Sequence, residues 1–127
     1  MKWRNPYMDL VSTKPTYILP QEDDRFDPLA VKSLQERIGA FSSLILEIGS
    51  GSGGHLISRA EQNPDAFHLG FELRYKRVFR TAEKSEKLGL QNLTIVRGDA
   101  RLLPEILGEL QATGCYINFP DPWGKKG

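Results

Sequence analysis

At 127 residues, with 39% hydrophobic and 26% charged side chains, the chain has the composition of one ordinary globular domain with a single core. It has no apolar run long enough to span a membrane, and Met1-Lys2-Trp3-Arg4-Asn5-Pro6 lacks the apolar stretch of a secretory signal, so neither is expected. The lone cysteine, Cys115, rules out an internal disulfide and a cysteine-based zinc site and agrees with a reducing cytoplasm, while a net charge of +1 gives a nucleic-acid partner no general support.

Residues 1–26 show no clean period and read as an irregular arm, with Tyr17-Ile18-Leu19-Pro20 as a short extended piece. Such an arm either packs over the core, stays loose, or meets a substrate. Asp27-Pro28 opens the first clear helix, because Asp caps orphan N–H groups and Pro is tolerated at the first helical position. Leu29, Leu34 and Ile38 can share its buried face, and Gly39 ends it.

From there strands and helices alternate. Leu44–Ile48 is a short apolar run entering a glycine cluster, as a buried parallel strand does. Gly53–Gln62 reads as a helix, stopped by Asn63-Pro64. Ala66–Glu72 is the second expected strand, Arg74–Leu88 a long helix ended by Gly89, and Leu93–Arg97 the third strand. Leu102–Leu110 is a helix, and Cys115–Phe119 is the fourth strand, running into Pro120-Asp121-Pro122-Trp123. Strands separated by helices imply parallel β-α-β units with right-handed crossovers. The domain is therefore placed at residues 27–127.

In an open parallel sheet, ligands bind beyond the carboxyl ends of the strands. The first expected strand ends in Glu47-Ile48-Gly49-Ser50-Gly51-Ser52-Gly53-Gly54, the second in Glu72, the third in Asp99 and the fourth in Asp121. Gly49, Gly51 and Gly54 fit G-x-G-x-x-G, which permits a tight turn and close approach of backbone to a ligand. Dinucleotide enzymes use that pattern too, and Glu72, placed to accept both ribose hydroxyl hydrogens, does not separate the classes. Glu47 does in part: it can hold an amino-bearing ligand, and S-adenosylmethionine has an ammonium where NAD has none. A pyrophosphate would be repelled by the acidic rim. Asp99-Ala100 can receive the adenine amino group, with the adjacent backbone N–H on a ring nitrogen.

Leu46-Glu47-Ile48-Gly49-x-Gly51, Gly70-Phe71-Glu72, Asn92-Leu93 leading to Gly98-Asp99-Ala100, and Asn118-Phe119-Pro120-Asp121-Pro122-Trp123-x-Lys125-Lys126 together resemble the bacterial tRNA (guanine-N7-)-methyltransferase family. The last element is the specific one; the others are shared by many class I methyltransferases. The resemblance implies a Rossmann-like α/β three-layer sandwich with a parallel sheet, S-adenosylmethionine as cofactor, tRNA as partner, no metal, and a monomer or homodimer. It implies that Glu47, Gly49, Gly51, Glu72, Asp99, Ala100 and Asp121 bind the cofactor, that Asp121 is catalytic, and that Lys125 contacts the substrate. The family's sheet has seven strands, so the expectation is an N-terminal portion with about four of them, inactive by itself.

Several features keep two readings. Trp123 either stacks on a base or fills a gap. Lys125 and Lys126 suit phosphate or are simply solvated. Arg74, Arg77, Arg80, Lys84 and Lys87 form a basic stripe on the long helix, either a solvated face or an RNA contact. His55 and His68 are expected at the surface. Competing functions are an adenine amino-group methyltransferase, opposed by the order Pro-Asp-Pro-Trp; an NAD-dependent half-domain; and a module that binds S-adenosylmethionine or RNA without chemistry.

Overall fold

The structure, a computed structural model, describes residues 3–118. Five strands form one sheet: β1 (Ile18–Pro20), β2 (Ser43–Ile48), β3 (Ala66–Glu72), β4 (Leu93–Arg97) and β5 (Gly114–Ile117), in the order β1-β4-β3-β2-β5. Every pairing is parallel. The helices are α1 (Tyr7–Leu10), α2 (Pro28–Gly39), α3 (Gly54–Gln62), α4 (Tyr75–Leu88) and α5 (Leu103–Leu107). From β2 the chain steps outward through β3 to β4, then returns to lay β5 on the other side of β2. That reversal leaves a crevice at the carboxyl end of β2, the place where open α/β sheets take ligands.

Strand alternation builds two cores, one on each face of the sheet. Leu44, Leu46, Phe67, Leu69, Phe71 and Val96 pack against Leu34 and Ile38 of α2 and Ile106 and Leu107 of α5. Ile18, Leu93 and Ile95 pack on the other face against Leu56, Ile57 and Ala60 of α3 and Val78 and Ala82 of α4. The alternation predicts these parallel β-α-β units, and the whole is the Rossmann-like three-layer sandwich that the resemblance implies. Asp27 caps α2 by accepting from the Leu29 N–H at 3.2 Å. No helix among the described residues is long and apolar enough to cross a membrane.

The differences from expectation have local causes. Within residues 1–26 the expected extended piece is β1, which pairs with β4 as a fifth strand of the sheet, and Val11, Tyr17, Ile18, Leu19 and Phe26 are buried. A three-residue strand has no measurable period, and its partner lies more than seventy residues along the chain. Leu29 is 77% exposed, so only Leu34 and Ile38 of the expected trio face the core. The helix expected over Leu102–Leu110 is a 3-10 turn (Ala100–Leu102) followed by α5, which stops at Leu107 because Gly108 takes φ +57°.

His68 is the other correction, since it is buried in the middle of β3 rather than at the surface. Its Nε2 lies 3.3 Å from the Asn63 carbonyl oxygen. Burial, the largest cause, lowers the imidazole pKa below its ordinary 6.5, and the Arg59 guanidinium adds to the fall. A base whose pKa drops on folding binds fewer protons folded than unfolded, so stability declines as pH falls through the ordinary value. Thermal melts of the wild type are expected to show Tm falling on acidification from about pH 7 to about pH 5. Gln in place of His68 should flatten that slope, and parallel slopes in the two proteins would remove His68 as the cause.

Candidate functional site

A cavity of about 550 Å³ opens at the carboxyl ends of β2, β3 and β4. Its walls include Gly49, Gly51, Glu72, Asp99, Ala100 and Asn118, with apolar surface from Ile48, Phe71 and Ile117. Five of the residues expected to bind a cofactor thus share one cavity, although they come from three separate strand ends.

The glycine loop is held from three sides. The Gly49 and Ser50 N–H groups both donate to the Phe71 carbonyl at 2.9 Å, tying the loop to β3. From α4, the Lys84 ammonium donates to the Ser52 carbonyl at 2.9 Å. Gly53 turns the loop into α3 with φ +88°, and a Cβ there would lie 2.6–3.0 Å from the Thr81 side chain. At Gly49, φ is +81° and a Cβ would sit 2.7 Å from the Asn118 carbonyl oxygen. Both positions therefore demand glycine on conformation and on space.

Glu72 closes the loop against the strand end. Its Oε1 accepts from the Gly51 N–H at 2.8 Å, and its Oε2 accepts from the Arg74 N–H at 3.1 Å. Each oxygen keeps a second lone pair, so the carboxylate can still receive two hydroxyl hydrogens. Asp99 caps the 3-10 turn by accepting from the Arg101 N–H at 2.9 Å. The Arg101 guanidinium also clasps it, at 2.6–3.1 Å, and these hydrogen bonds hold the Asp99 carboxyl below the usual carboxylate range. Asp99 is therefore ionised and acceptor-only at neutral pH.

Glu47 is placed differently from the other acids. It is fully buried on the α3 face of β2, outside the residues lining the cavity. Its Oε2 forms an ion pair with Arg59 of α3 and accepts from the Asn118 side-chain amide at 3.1 Å. That same amide donates to the Gly49 carbonyl at 3.2 Å. Arg59 in turn lies 3.7 Å from the centroid of the Tyr116 ring on β5. The group is a strut that joins α3, the glycine loop and β5 at the switch point.

Among the described residues, Glu72 and Asp99 line the cavity together with Arg74 and Arg77, so the two acids there are balanced by two basic side chains. Of the basic stripe, Arg77 lines the cavity, Lys84 holds the loop, and Arg80 stands 4.0 Å from Glu83. Asp121, Trp123, Lys125 and Lys126 lie outside the described residues. No group of three metal-ligating side chains occurs among the described residues.

Arg59 and Asn118 are not expected as site residues from the sequence, yet for Arg59 a signal exists. A carboxylate two residues before the first glycine, within a strand covered on both faces, needs a cation, and Arg59 is the only arginine or lysine on α3.

Residues 42–127 match the family model described as "Putative methyltransferase". The chain is similar to a tRNA (guanine-N(7)-)-methyltransferase of Helicobacter hepaticus, 44% identical over 82 residues, covering 65% of this chain and 21% of that protein. It is also similar to a bifunctional glycosyltransferase/methyltransferase of Fusobacterium nucleatum, 34% identical over 119 residues, covering 94% of this chain and 18% of that protein. Among solved structures, an antibiotic-related methyltransferase superposes with a TM-score of 0.63 at 27% identity, over 80% of this chain and 52% of that one. The chain thus spans about a fifth of the length of these two curated relatives.

Proposed function

This chain belongs to the methyltransferase family whose model matches residues 42–127, and from that premise we propose that it binds S-adenosylmethionine and serves an enzyme that methylates N7 of a guanine in tRNA. One observation carries the cofactor reading: Glu72 stands at the end of β3 in the cavity lining, with one oxygen hydrogen-bonded to the glycine loop that a nucleoside must approach. The tRNA reading rests on the 44% identity to a relative that carries that name, and on Asn118-Phe119-Pro120-Asp121-Pro122-Trp123.

The residues present fit this cofactor. Glu72 receives the ribose hydroxyls. Asp99 receives the adenine amino group, once Arg101 yields one of its bonds, and the Ala100 N–H meets a ring nitrogen. Gly49 and Gly51 keep the wall free of side chains where the ligand lies closest. Glu47 acts on the cofactor only through Asn118 and Gly49, because it is fully buried behind the wall.

Bound there, S-adenosylmethionine supplies a methyl group on a positively charged sulfur. Guanine N7 has an in-plane lone pair and no proton, so the protein has no proton to remove before attack. What it contributes is alignment and the placement of charge. We assign that role to Asp121, since a carboxylate hydrogen-bonded to guanine N1–H and the exocyclic amine favours the purine as it gains positive charge. Pro120 and Pro122 restrict the backbone on either side of it. Lys125 meets a phosphate of the substrate. The target base must leave its stack to reach the site, and the setting is the cytoplasm.

Methyl transfer to tRNA, with 7-methylguanine identified by nucleoside analysis, tests this reading. In a full-length enzyme, Asn in place of Asp121 is expected to lower turnover by about a hundredfold or more. Near-normal turnover would end the catalytic assignment, and methyl appearing on adenine would redirect the substrate.

A further inference from the structure

We infer that Gln21, from the N-terminal segment, is a positioning residue that sets adenine recognition by holding the Gly98–Asp99 turn; this rests on the cofactor reading above. Gln21 follows β1 directly and uses every polar group it has. Its side-chain Oε1 accepts from the Asp99 N–H at 2.8 Å. Its own N–H donates to the Arg97 carbonyl at 2.8 Å, and its carbonyl accepts from the Arg97 guanidinium at 2.8 Å. Its Nε2 donates to the Asp23 carbonyl at 2.7 Å, which fixes the amide's orientation. The bend that brings Asp23 into reach is tight: Asp23 is the one non-glycine residue with positive φ among the described residues, at +59°.

Space tells the same story. A Cβ on Gly98 would lie 2.8 Å from Gln21 Oε1 and 3.3 Å from the buried Phe26 ring. The turn is therefore pressed against the N-terminal segment, with no room for a side chain between them. Arg97, the other residue that Gln21 grips, is stacked 4.4 Å from the centroid of the Tyr75 ring on α4. Asp99 leaves β4 in a direction determined by this clamp, and its carboxylate forms the wall that the adenine amino group must meet.

A test follows from the polarity of the base. Adenine offers an amino group to Asp99 and a bare N1 to the Ala100 N–H. Hypoxanthine reverses both, with an oxygen and an N1–H. The affinity ratio of S-adenosylhomocysteine to S-inosylhomocysteine therefore reads the placement of Asp99. A loss of fold stability alone weakens both ligands alike and leaves the ratio unchanged.

Both ligands are titrated into the wild-type chain and into Gln21→Met, Gln21→Ala and Gln21→Glu variants. Met keeps the reach and loses the acceptor; Ala loses the side chain but keeps both backbone bonds to Arg97; Glu keeps an acceptor. The Met and Ala variants are expected to lose about tenfold of the adenine preference, the worth of one hydrogen bond, and Glu, which keeps the acceptor for Asp99 but loses the donor to Asp23, to lose less than Met. A wild-type ratio in the Met and Ala variants overturns the inference, as does a loss in Glu equal to that in Met. If wild type binds S-adenosylhomocysteine and Glu72→Ala abolishes that binding, an unchanged ratio counts against Gln21 alone. If wild type binds neither ligand, the cofactor reading falls and this inference falls with it.

Discussion

Alanine in place of Glu72 is expected to weaken S-adenosylmethionine binding by about a hundredfold or more, while the far-ultraviolet spectrum and Tm stay near wild type. Hydrogen bonds to a charged group contribute about 1.5–3 kcal/mol each, and in the proposed binding mode the variant removes two acceptors for the ribose hydroxyls at once. It also frees the Gly51 and Arg74 N–H groups, which Glu72 holds at 2.8 and 3.1 Å, so the glycine loop loses one of its ties to the end of β3. The cost to the fold is small because Glu72 is only partly buried, and the freed N–H groups can turn to water. Gln in the same place keeps one acceptor oxygen and should fall between the two. Calorimetric titration decides it: an affinity for Glu72→Ala within about threefold of wild type would place the ribose elsewhere.

The second large effect concerns the fold at the switch point. Truncating Arg59 to alanine is expected to cost about 3–5 kcal/mol, and to lower Tm by roughly 10 °C or more. Glu47 is 0% exposed, and among the described residues its Oε1 has no hydrogen-bond partner and Arg59 is the one ion-pair partner of its carboxylate. Without Arg59 the carboxylate keeps only the Asn118 amide, at 3.1 Å. The guanidinium's contact with the Tyr116 ring is lost as well, which loosens β5 at the edge of the sheet. Leucine at both 47 and 59 should recover most of the loss, because a buried ion pair gives little net stability over an apolar pair of similar size. Chemical denaturation of the two single variants and the double variant measures this. Full stability in Arg59→Ala would mean that this pair does not hold α3 to the switch point.

These two residues show where the sequence is legible. Glu72 can be placed from the chain alone, because a strand end, a glycine loop and a carboxylate are all local signals, and strand polarity brings them to one rim. The same holds for α2 and for β2, β3 and β4, whose caps and apolar runs lie within a few residues. Glu47 is harder. Its position two residues before Gly49 suggests a ligand, but side chains in a strand alternate, and the parity shared with Ser43 and Ile45 puts it beneath α3. Asp99 is legible as a cavity acid, whereas its attachment to Gln21 is not, since that bond spans 78 positions and comes from a segment with no period. His68 misleads for a related reason: a polar residue in a strand covered on both faces gives no local sign of its burial.

The most direct measurement is a calorimetric titration of the purified chain with S-adenosylmethionine, run beside NAD. Saturable binding of S-adenosylmethionine with no heat from NAD is the expected result, since Glu72 and Asp99 suit an adenosine and the chain belongs to a methyltransferase family. Saturable binding of NAD with none of S-adenosylmethionine would contradict the account, and would assign Arg74 and Arg77 to a phosphate instead.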